Sequence, residues 1–446
     1  MTDSTDDAAV THVVTAFLRN RGEVLLLRRS DAVGTYTGQW GGVSGFAEGD
    51  PDTQVRVEIR EETGLEVGED VSLIRSGQPV RFEDADLERE WAVHPYLFDC
   101  ETRDIELSEE HDAFEWLSPT VVLDPDADRE PVPELWTAYE RVAPSVRSIA
   151  ADSEHGAASL SIRALEVLRD RAAIATAERA EFGADPDGEW DELAELARQL
   201  LEARPSMAVL RNRVNRAMAD ATAAADSESP DGAPAVLETT LAGIDRALAA
   251  DDDAAANASD RINGAVGTLS RSATVLEALR SGDPSRVFVA ESRPAREGIA
   301  VAEDLAAADD LDCPMTVHTD AAAAHVLSSE AIDRIVVGAD TICPDGSVVN
   351  KTGTRVLALA AAREGIPVSV VAATDKVSTR EDVNLESGDR SAVYDGDASL
   401  DILNPTFDIT PADCVDEYVT ERGVLEPDAI GDVAAELREL EVWHDR

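Results

Sequence analysis

Three glutamates carry the first chemistry this chain suggests. Glu58, Glu61 and Glu62 lie inside the segment GGVSGFAEGDPDTQVRVEIREETGL, residues 41–65. Asp50 followed by Pro51 is a favourable helix start, and Gly64 is a favourable stop. Within that helix the three carboxylates fall at i, i+3 and i+4 and so share one face. Like charges on one face oppose the helix unless something neutralises them. A hard divalent cation held by oxygen does so, with Mg²⁺ or Mn²⁺ the expected species. Taken alone, the triplet reads equally well as a solvated acidic face, and the string around it has to decide.

A second set of chemically active residues lies in the C-terminal half. Glu291-Ser292-Arg293-Pro294, Gly338-Ala339-Asp340 and Thr374-Asp375-Lys376 each follow an apolar run that reads as a strand. In an open parallel sheet such strand ends line the ligand crevice. Asn350-Lys351-Thr352-Gly353-Thr354 reads as a helix start whose amides are available to phosphate. The glycine-to-lysine spacing of a Walker loop is absent. Only two of the 39 basic residues are lysines, Lys351 and Lys376, and both are expected in loops of this sheet. An ammonium is a compact charge with a tunable pKa, a role that guanidinium cannot fill. This favours a functional Lys351 and leaves Lys376 open between function and chance retention. Asp340 is open between a ligand contact and a helix cap.

These residues need elements to position them. Residues 12–27 read as two strands around an Arg-Gly turn, with further strands near 71–75, 79–82 and 91–98 and a closing segment Phe114-Glu115-Trp116-Leu117. The acidic, proline-rich stretch 122–134 reads as a linker. Long helices are expected over 160–181 and 189–222, with a loop at 226–234. Strands at 286–291, 314–318, 332–337 and 367–372, separated by helical segments, predict a doubly wound parallel sheet. The expected domains are residues 1–135 and 136–446, the second divided into a helical part (136–262) and a sheet part (263–446).

Composition narrows the function classes. Lys and Arg total 39 against 91 Asp and Glu, a formal net charge of -52. Such a surface repels itself in dilute buffer, but at molar salt the Debye length falls to about 3 Å. The acid is spread along the whole chain, so it reads as adaptation to a salt-loaded cytoplasm of the kind haloarchaea maintain rather than as one acidic docking patch. Nucleic acid is excluded as a general partner. The 43% hydrophobic content supports packed cores. No apolar run is long enough for a membrane span, and the acidic N-terminus is unlike a secretory signal, so a soluble cytoplasmic protein is expected. The four cysteines form no C-x-x-C pair and the seven histidines show no paired spacing, so any metal must be held by carboxylates.

The Gly-Gly, Glu48, Glu58-Ile59, Glu61-Glu62 and Gly64-Leu65 string resembles the box of the Nudix hydrolases. Trp40 and the stretch Trp91-Ala92-Val93-His94-Pro95-Tyr96 add to the resemblance, which covers roughly residues 10–120. It implies an α/β/α sandwich with a mixed sheet and a metal-dependent hydrolase of a nucleoside diphosphate derivative. Glu58, Glu61 and Glu62 would be metal ligands, one doubling as base, with Glu48 as a further ligand. Counting back from Gly64, Val57 replaces the family's arginine and Gly49 its glutamate. Counting forward from Gly42, Glu48 and Arg56 match instead. The box therefore holds one extra residue, expected near Gly49-Asp50-Pro51, with Arg56 or Arg60 bracing the glutamates.

From about residue 140 to 430 the chain resembles the family that joins the regulatory subunits of initiation factor 2B to methylthioribose-1-phosphate and ribose-1,5-bisphosphate isomerases. The matching strings include His155-Gly156, Arg204-Pro205-Ser206-Met207, Thr268-Leu269-Ser270-Arg271-Ser272, Glu297-Gly298, Gly338-Ala339-Asp340, Asn350-Lys351 and Asn404-Pro405-Thr406-Phe407-Asp408. The resemblance implies a Rossmann-like sheet after a helical subdomain and homo-oligomerisation through this domain. It also implies a phosphorylated sugar or nucleotide bound by Arg204, Ser270, Asp340, Asn350 and Lys351. Ser270 stands where the isomerases carry a cysteine, and a hydroxyl is far less acidic than a thiol. Three readings follow: a Nudix hydrolase with a metabolite-binding domain, a regulatory protein with a binding-only Nudix module, and a sugar-phosphate isomerase.

Overall fold

The structure is a computed structural model that describes residues 10–225, 232–308 and 311–445. It divides into two compact units. The first comprises residues 1–151, 162–196 and 228–240, and the second 152–161, 197–227 and 241–446.

The first unit is built on an eight-stranded mixed sheet. Strands β1 (Thr11–Asn20) and β2 (Glu23–Arg29) form a hairpin whose turn residues, Arg21 and Gly22, have φ of 51° and 82°. Two left-handed residues match the twist of paired strands, which is why the Arg-Gly signal worked. The chain continues through β3 (Trp40–Gly41), β4 (Val43–Phe46) and helix α1 (Pro51–Thr63). Strands β5 (Val71–Ser76), β6 (Val80–Asp84), β7 (Arg89–Cys100) and β8 (His111–Leu117) complete the sheet. The β1–β7 pair is parallel and the other pairs are antiparallel.

Both faces of the sheet are covered, which accounts for the unbroken apolar run in β2. Leu25 and Leu27 join Val14, Leu18 and the α1 residues Val55 and Ile59 on one face. Val24 and Leu26 join Phe17 and, from α2 (Leu135–Glu140), Leu135, Ala138 and Tyr139 on the other. The stretch expected as a linker is hydrogen-bonded to β3 instead. Trp40 N donates to Glu130 O at 2.8 Å and Val132 N to Trp40 O at 2.9 Å. Its valines, Val122 and Val132, pack on the α2 face, so apolar burial outweighs the linker-like composition.

After α3 (Val146–Ala151) come four long helices: α4 (Ala157–Phe182), α5 (Pro186–Ala203), α6 (Ala208–Ala225) and α7 (Ala233–Ser259). Within the first unit, buried charge ties α4 to the sheet. Arg19 Nη1 donates to Glu166 at 2.9 Å, and Arg169 Nη1 to Gly22 O at 2.6 Å. The helix expected over 189–222 is two helices, broken at residues 204–207. Pro205 lacks an amide donor and disfavours the helical conformation of the residue before it. Most of the expected loop at 226–234 lies outside the described residues.

The second unit holds a seven-stranded sheet in the order β11-β10-β9-β12-β15-β17-β18. Its strands are β9 (Asn263–Leu269), β10 (Asp283–Ala290), β11 (Met315–His318), β12 (Arg334–Val337), β15 (Val368–Val371), β17 (Glu417–Thr420) and β18 (Gly423–Leu425). All pairs are parallel except β17–β18. Helices α8 (Ala273–Ser281) and α9 (Glu297–Ala307) cover one face, where Val266, Val287, Val289 and Val336 point. Helices α10 (Ala323–Ser329), α11 (Thr354–Glu364) and α12 (Ile430–Glu439) cover the other, where Phe288, Ile335, Val370 and Tyr418 point. This is the doubly wound α/β arrangement. A small antiparallel sheet of β13 (Thr341–Ile342), β14 (Val348–Lys351) and β16 (Phe407–Thr410) sits beside it in the chain. Among the described residues no helix is long and apolar enough to cross a membrane.

Candidate functional site

The α1 carboxylates are positioned by a close approach of helix to strand. Glu62 is only 3% exposed, and its Oε2 accepts the Ser44 amide of β4 at 3.1 Å. Its Oε1 is buried with no hydrogen-bond partner. One turn earlier, half-buried Glu58 accepts from Gln54 Nε2 at 2.6 Å. Gly45 makes this possible, because a Cβ there would lie 2.1 Å from the Glu58 carboxyl carbon. Gly64 closes the helix with φ 76°.

Burial is the main force raising both carboxyl pKa values, and it pushes Glu62 well above its ordinary value. The Ser44 amide opposes the rise at Glu62, and the Gln54 amide opposes it at Glu58. Neighbouring acid adds to it: Glu58 and Glu110 act on Glu62, and Glu61 and Glu110 act on Glu58. An unpaired buried carboxylate oxygen is unfavourable by itself and is an appropriate donor for a hard cation.

Glu48, Glu58, Glu61 and Glu110 line one cleft of about 640 Å³. Glu61 and Glu48 are exposed on its rim. Among the described residues, no three acidic, histidine or cysteine side chains are already gathered closely enough to cage an ion. Nor do Arg56 and Arg60 brace the glutamates, since both are exposed. The cation acting on Glu62 is Arg29, at the end of β2, which also donates from Nε to Thr35 O at 3.0 Å. His111 Nε2 lies 3.9 Å from Glu62, but burial and then Arg29 push its pKa down to about 4, so the ring is neutral. Aromatic side chains form another wall of the cleft. Phe46, 51% exposed, stacks on Trp91 at 6.2 Å, with Tyr36 tilted against the same ring at 6.1 Å.

In the second unit, the chain reverses direction across the sheet between β9 and β12. The residues just past those two strand ends are Ser270 and Gly338-Ala339-Asp340. Ser270 is left-handed, with φ 59°, and its amide donates to Ser292 Oγ at 2.7 Å. Its hydroxyl donates to Glu297 Oε2 at 2.6 Å, and Lys351 Nζ donates to Glu297 Oε1 at 3.0 Å. Lys351 also sits 5.7 Å from the Phe407 ring centre. Burial raises the Asp340 pKa, opposed by Lys376 and Lys351 and reinforced by Glu297 and Glu386. Buried Lys376 donates to Ala339 O at 2.6 Å. Ser270, Glu297, Lys351, Asp340 and Lys376 therefore form one electrostatic group.

Two placements differ from the sequence reading. Lys351 is the last residue of strand β14, not part of a loop, and α11 begins at Thr354. The first amides of α11 are not open to phosphate, because the Asp408 carboxylate accepts from Gly353 N at 2.7 Å and Arg355 N at 3.1 Å. Asn350 is buried and donates to Thr354 Oγ1 at 3.0 Å, so it holds the turn into the helix. Arg204 donates to the Asp152 carbonyl. It does not line the pocket that Asp340 shares with Arg211, Arg380, Asn384 and Phe407. No cysteine lines that pocket either.

Sequence reasoning missed Arg29 and Glu110 at the first site and gave Glu297 no role at the second. Arg29 and Glu110 stand outside the box string, on strand and loop positions with no spacing signal. Glu297 lay within a matching string, and its i–4 distance from Arg293 gave no hint that it would join Ser270 to Lys351.

Comparison with known proteins bears on both units. The model of the Initiation factor 2 subunit family matches residues 153–427, and that of the NUDIX domain matches residues 10–135. The ribose 1,5-bisphosphate isomerase of Haloferax volcanii is 32% identical over 314 residues, covering 67% of this chain and 94% of that protein. The methylthioribose-1-phosphate isomerase of Pseudomonas putida is 33% identical over 328 residues, covering 66% and 87% respectively. Among solved structures, the translation initiation factor eIF-2B of Pyrococcus horikoshii matches with a TM-score of 0.51 at 28% identity. That match covers 63% of this chain and 95% of the other.

Proposed function

The chain belongs to the Initiation factor 2 subunit family and carries a NUDIX domain ahead of that region, and on this premise we propose that it is a metal-dependent hydrolase of a nucleoside diphosphate derivative joined to a domain that binds a phosphorylated sugar or nucleotide. The observation that carries the hydrolase reading is the unpaired, buried Oε1 of Glu62, one helical turn from Glu58, which lines an acidic cleft with Glu48, Glu61 and Glu110. Glu58, Glu61, Glu62 and Glu48 are the residues to hold Mg²⁺ or Mn²⁺. Such a cation, when bound, neutralises a diphosphate and makes water a stronger nucleophile.

The chain's own groups supply the rest. Arg29 favours the ionised form of Glu62. Glu61, on the rim, takes the proton of the attacking water as its oxygen bonds to phosphorus and the bridging P–O bond breaks. The exposed face of Phe46 on Trp91 suits the flat ring of a nucleobase. Incubation of the protein in molar KCl with Mg²⁺ and a panel of nucleoside diphosphate derivatives tests this reading. Release of phosphate or nucleoside monophosphate is expected. A folded, cation-bound protein that turns over none of the panel contradicts it and leaves the first unit as a binding module.

A second reading for the C-terminal region, sugar-phosphate isomerisation, is favoured by the Ser270–Glu297 hydrogen bond. Glu297 there stands as a proton acceptor, and Asp340, raised by burial, as a proton donor. The sugar C2 would lose its proton to Glu297 while Asp340 protonates the C1 carbonyl oxygen. The enediol's C2 hydroxyl would then return a proton to Asp340 as Glu297 delivers its proton to C1. Ketose formation from a phosphorylated aldose, lost in E297Q, is the expected result under this reading. Wild type that binds the aldose phosphate without converting it contradicts isomerisation and keeps the binding role. Assembly of several copies through the C-terminal region belongs to the same proposal and is tested by light scattering in molar KCl.

A further inference from the structure

The pocket that contains Asp340 is also lined by two arginines, Arg211 and Arg380, that neither reading uses. Arg211, one turn into α6, is only 7% exposed. Among the described residues its guanidinium makes one hydrogen bond, from Nη2 to Pro205 O at 3.5 Å, the limit of a useful contact. The nearby charge includes a second cation, Arg380, and one carboxylate, Glu441. Glu441 is itself engaged by the Thr379 hydroxyl at 2.8 Å. Burial, then Arg380, lowers the Arg211 pKa, and Glu441 only partly offsets this. Burying a guanidinium next to another is unfavourable unless an anion completes the arrangement.

The surroundings match that need. Arg211 and Arg380 line the pocket together with Ser378, Asn384, the first α6 residue, Ala208, and Met207 just before it. The opening turn of a helix presents unpaired amides and the positive end of its dipole. Asp340, Asp382 and Glu386 line the same pocket. The unit's two lysines are committed elsewhere, Lys351 to Glu297 and Lys376 to Ala339 O.

We propose that Arg211 and Arg380, with the first turn of α6, form a phosphate subsite that holds a phosphoryl group of the sugar ligand in the pocket they share with Asp340. This deepens the binding reading above and rests on it. The subsite makes the ligand's phosphate, rather than its sugar hydroxyls, the main source of affinity.

Calorimetric titration of the full chain in molar KCl, with ribose 5-phosphate, ribose 1,5-bisphosphate, inorganic phosphate and unphosphorylated ribose, tests it. Wild type is expected to bind the phosphorylated sugars and not ribose. R211Q and R380Q should each weaken that binding by at least about tenfold, the loss of one charge-assisted contact. E441Q, which removes the carboxylate opposing Arg211, should strengthen it. Arg380 is exposed, so R380Q keeps the test valid if R211Q fails to fold. Wild-type affinity in a folded R380Q and R211Q overturns the subsite while the binding reading stands. Failure of wild type to bind any phosphorylated probe overturns both.

Discussion

One oxygen atom sets the behaviour of the first site. Glu62 Oε1 is buried without a partner, and burial raises the carboxyl pKa well above its ordinary 4.5. A carboxyl with a raised folded pKa holds its proton more tightly in the folded state. Its contribution is therefore most favourable below about 4.5 and is lost as pH rises through the folded value. Without divalent cation, the stability this proton supplies falls away as pH rises. E62Q is accordingly expected to be more stable than wild type in EDTA, by about 1–3 kcal/mol, and to gain nothing from Mg²⁺. Thermal melts with and without Mg²⁺ check this, and a wild type as stable as E62Q in EDTA would refute it. The box glutamates were legible because helix periodicity is local. Arg29, Glu110 and the Glu297 bridge were not, because each reaches its partners only through tertiary packing.

At the scale of elements, function depends on how closely α1 approaches β4. In G45A the new methyl group must displace the Glu58 carboxylate, since its Cβ would fall 2.1 Å from the carboxyl carbon. The displaced atoms belong to a flexible side-chain end, so the fold should survive. Misplacement of about 1 Å at a catalytic group costs about 100-fold in rate. Hydrolysis by G45A should fall by that order with the melting temperature almost unchanged, and wild-type kinetics would contradict the placement of Glu58.

In the second unit, α6 fixes the turn that carries Lys376. Asn212 Nδ2 donates to Asp375 O and Val377 O at 2.8 and 2.7 Å, and Asp375 accepts from Arg213 and Arg216 at 3.2 and 3.0 Å. D375A removes the carboxylate shared by Arg213 and Arg216, while Arg213 keeps its pair with Asp251 at 3.1 Å. It should destabilise by about 1–3 kcal/mol, measured by denaturant unfolding. A loss below about 1 kcal/mol would show the pair to be dispensable. Strands and alternation were readable in the sequence here, because each strand lies between two helical layers. The break at Pro205 was not read, although it places Arg211 one turn inside a new helix.

At the scale of the whole molecule, the charge of -52 sets the conditions under which any of this is measurable. Self-repulsion is screened as the Debye length falls to about 3 Å near 1 M salt. The melting temperature should therefore rise steeply between about 0.1 and 1 M KCl, and a flat profile would contradict a salt-adapted surface. Composition made this property legible without any structure. The order of the two families along the chain was also legible, because each carries several short strings in sequence. The shared pocket of Arg211 and Arg380 was not, because the two are far apart in the chain and come together only through tertiary packing.

The central claim is that the cleft beside α1 hydrolyses a diphosphate through its glutamates. The most direct test is the initial rate of the best nucleoside diphosphate derivative in molar KCl with Mg²⁺, for wild type and E62Q side by side. Turnover by wild type, lowered at least about 100-fold in a folded E62Q, is the predicted result. Equal turnover by the two proteins would place the chemistry elsewhere and contradict the assignment of Glu62.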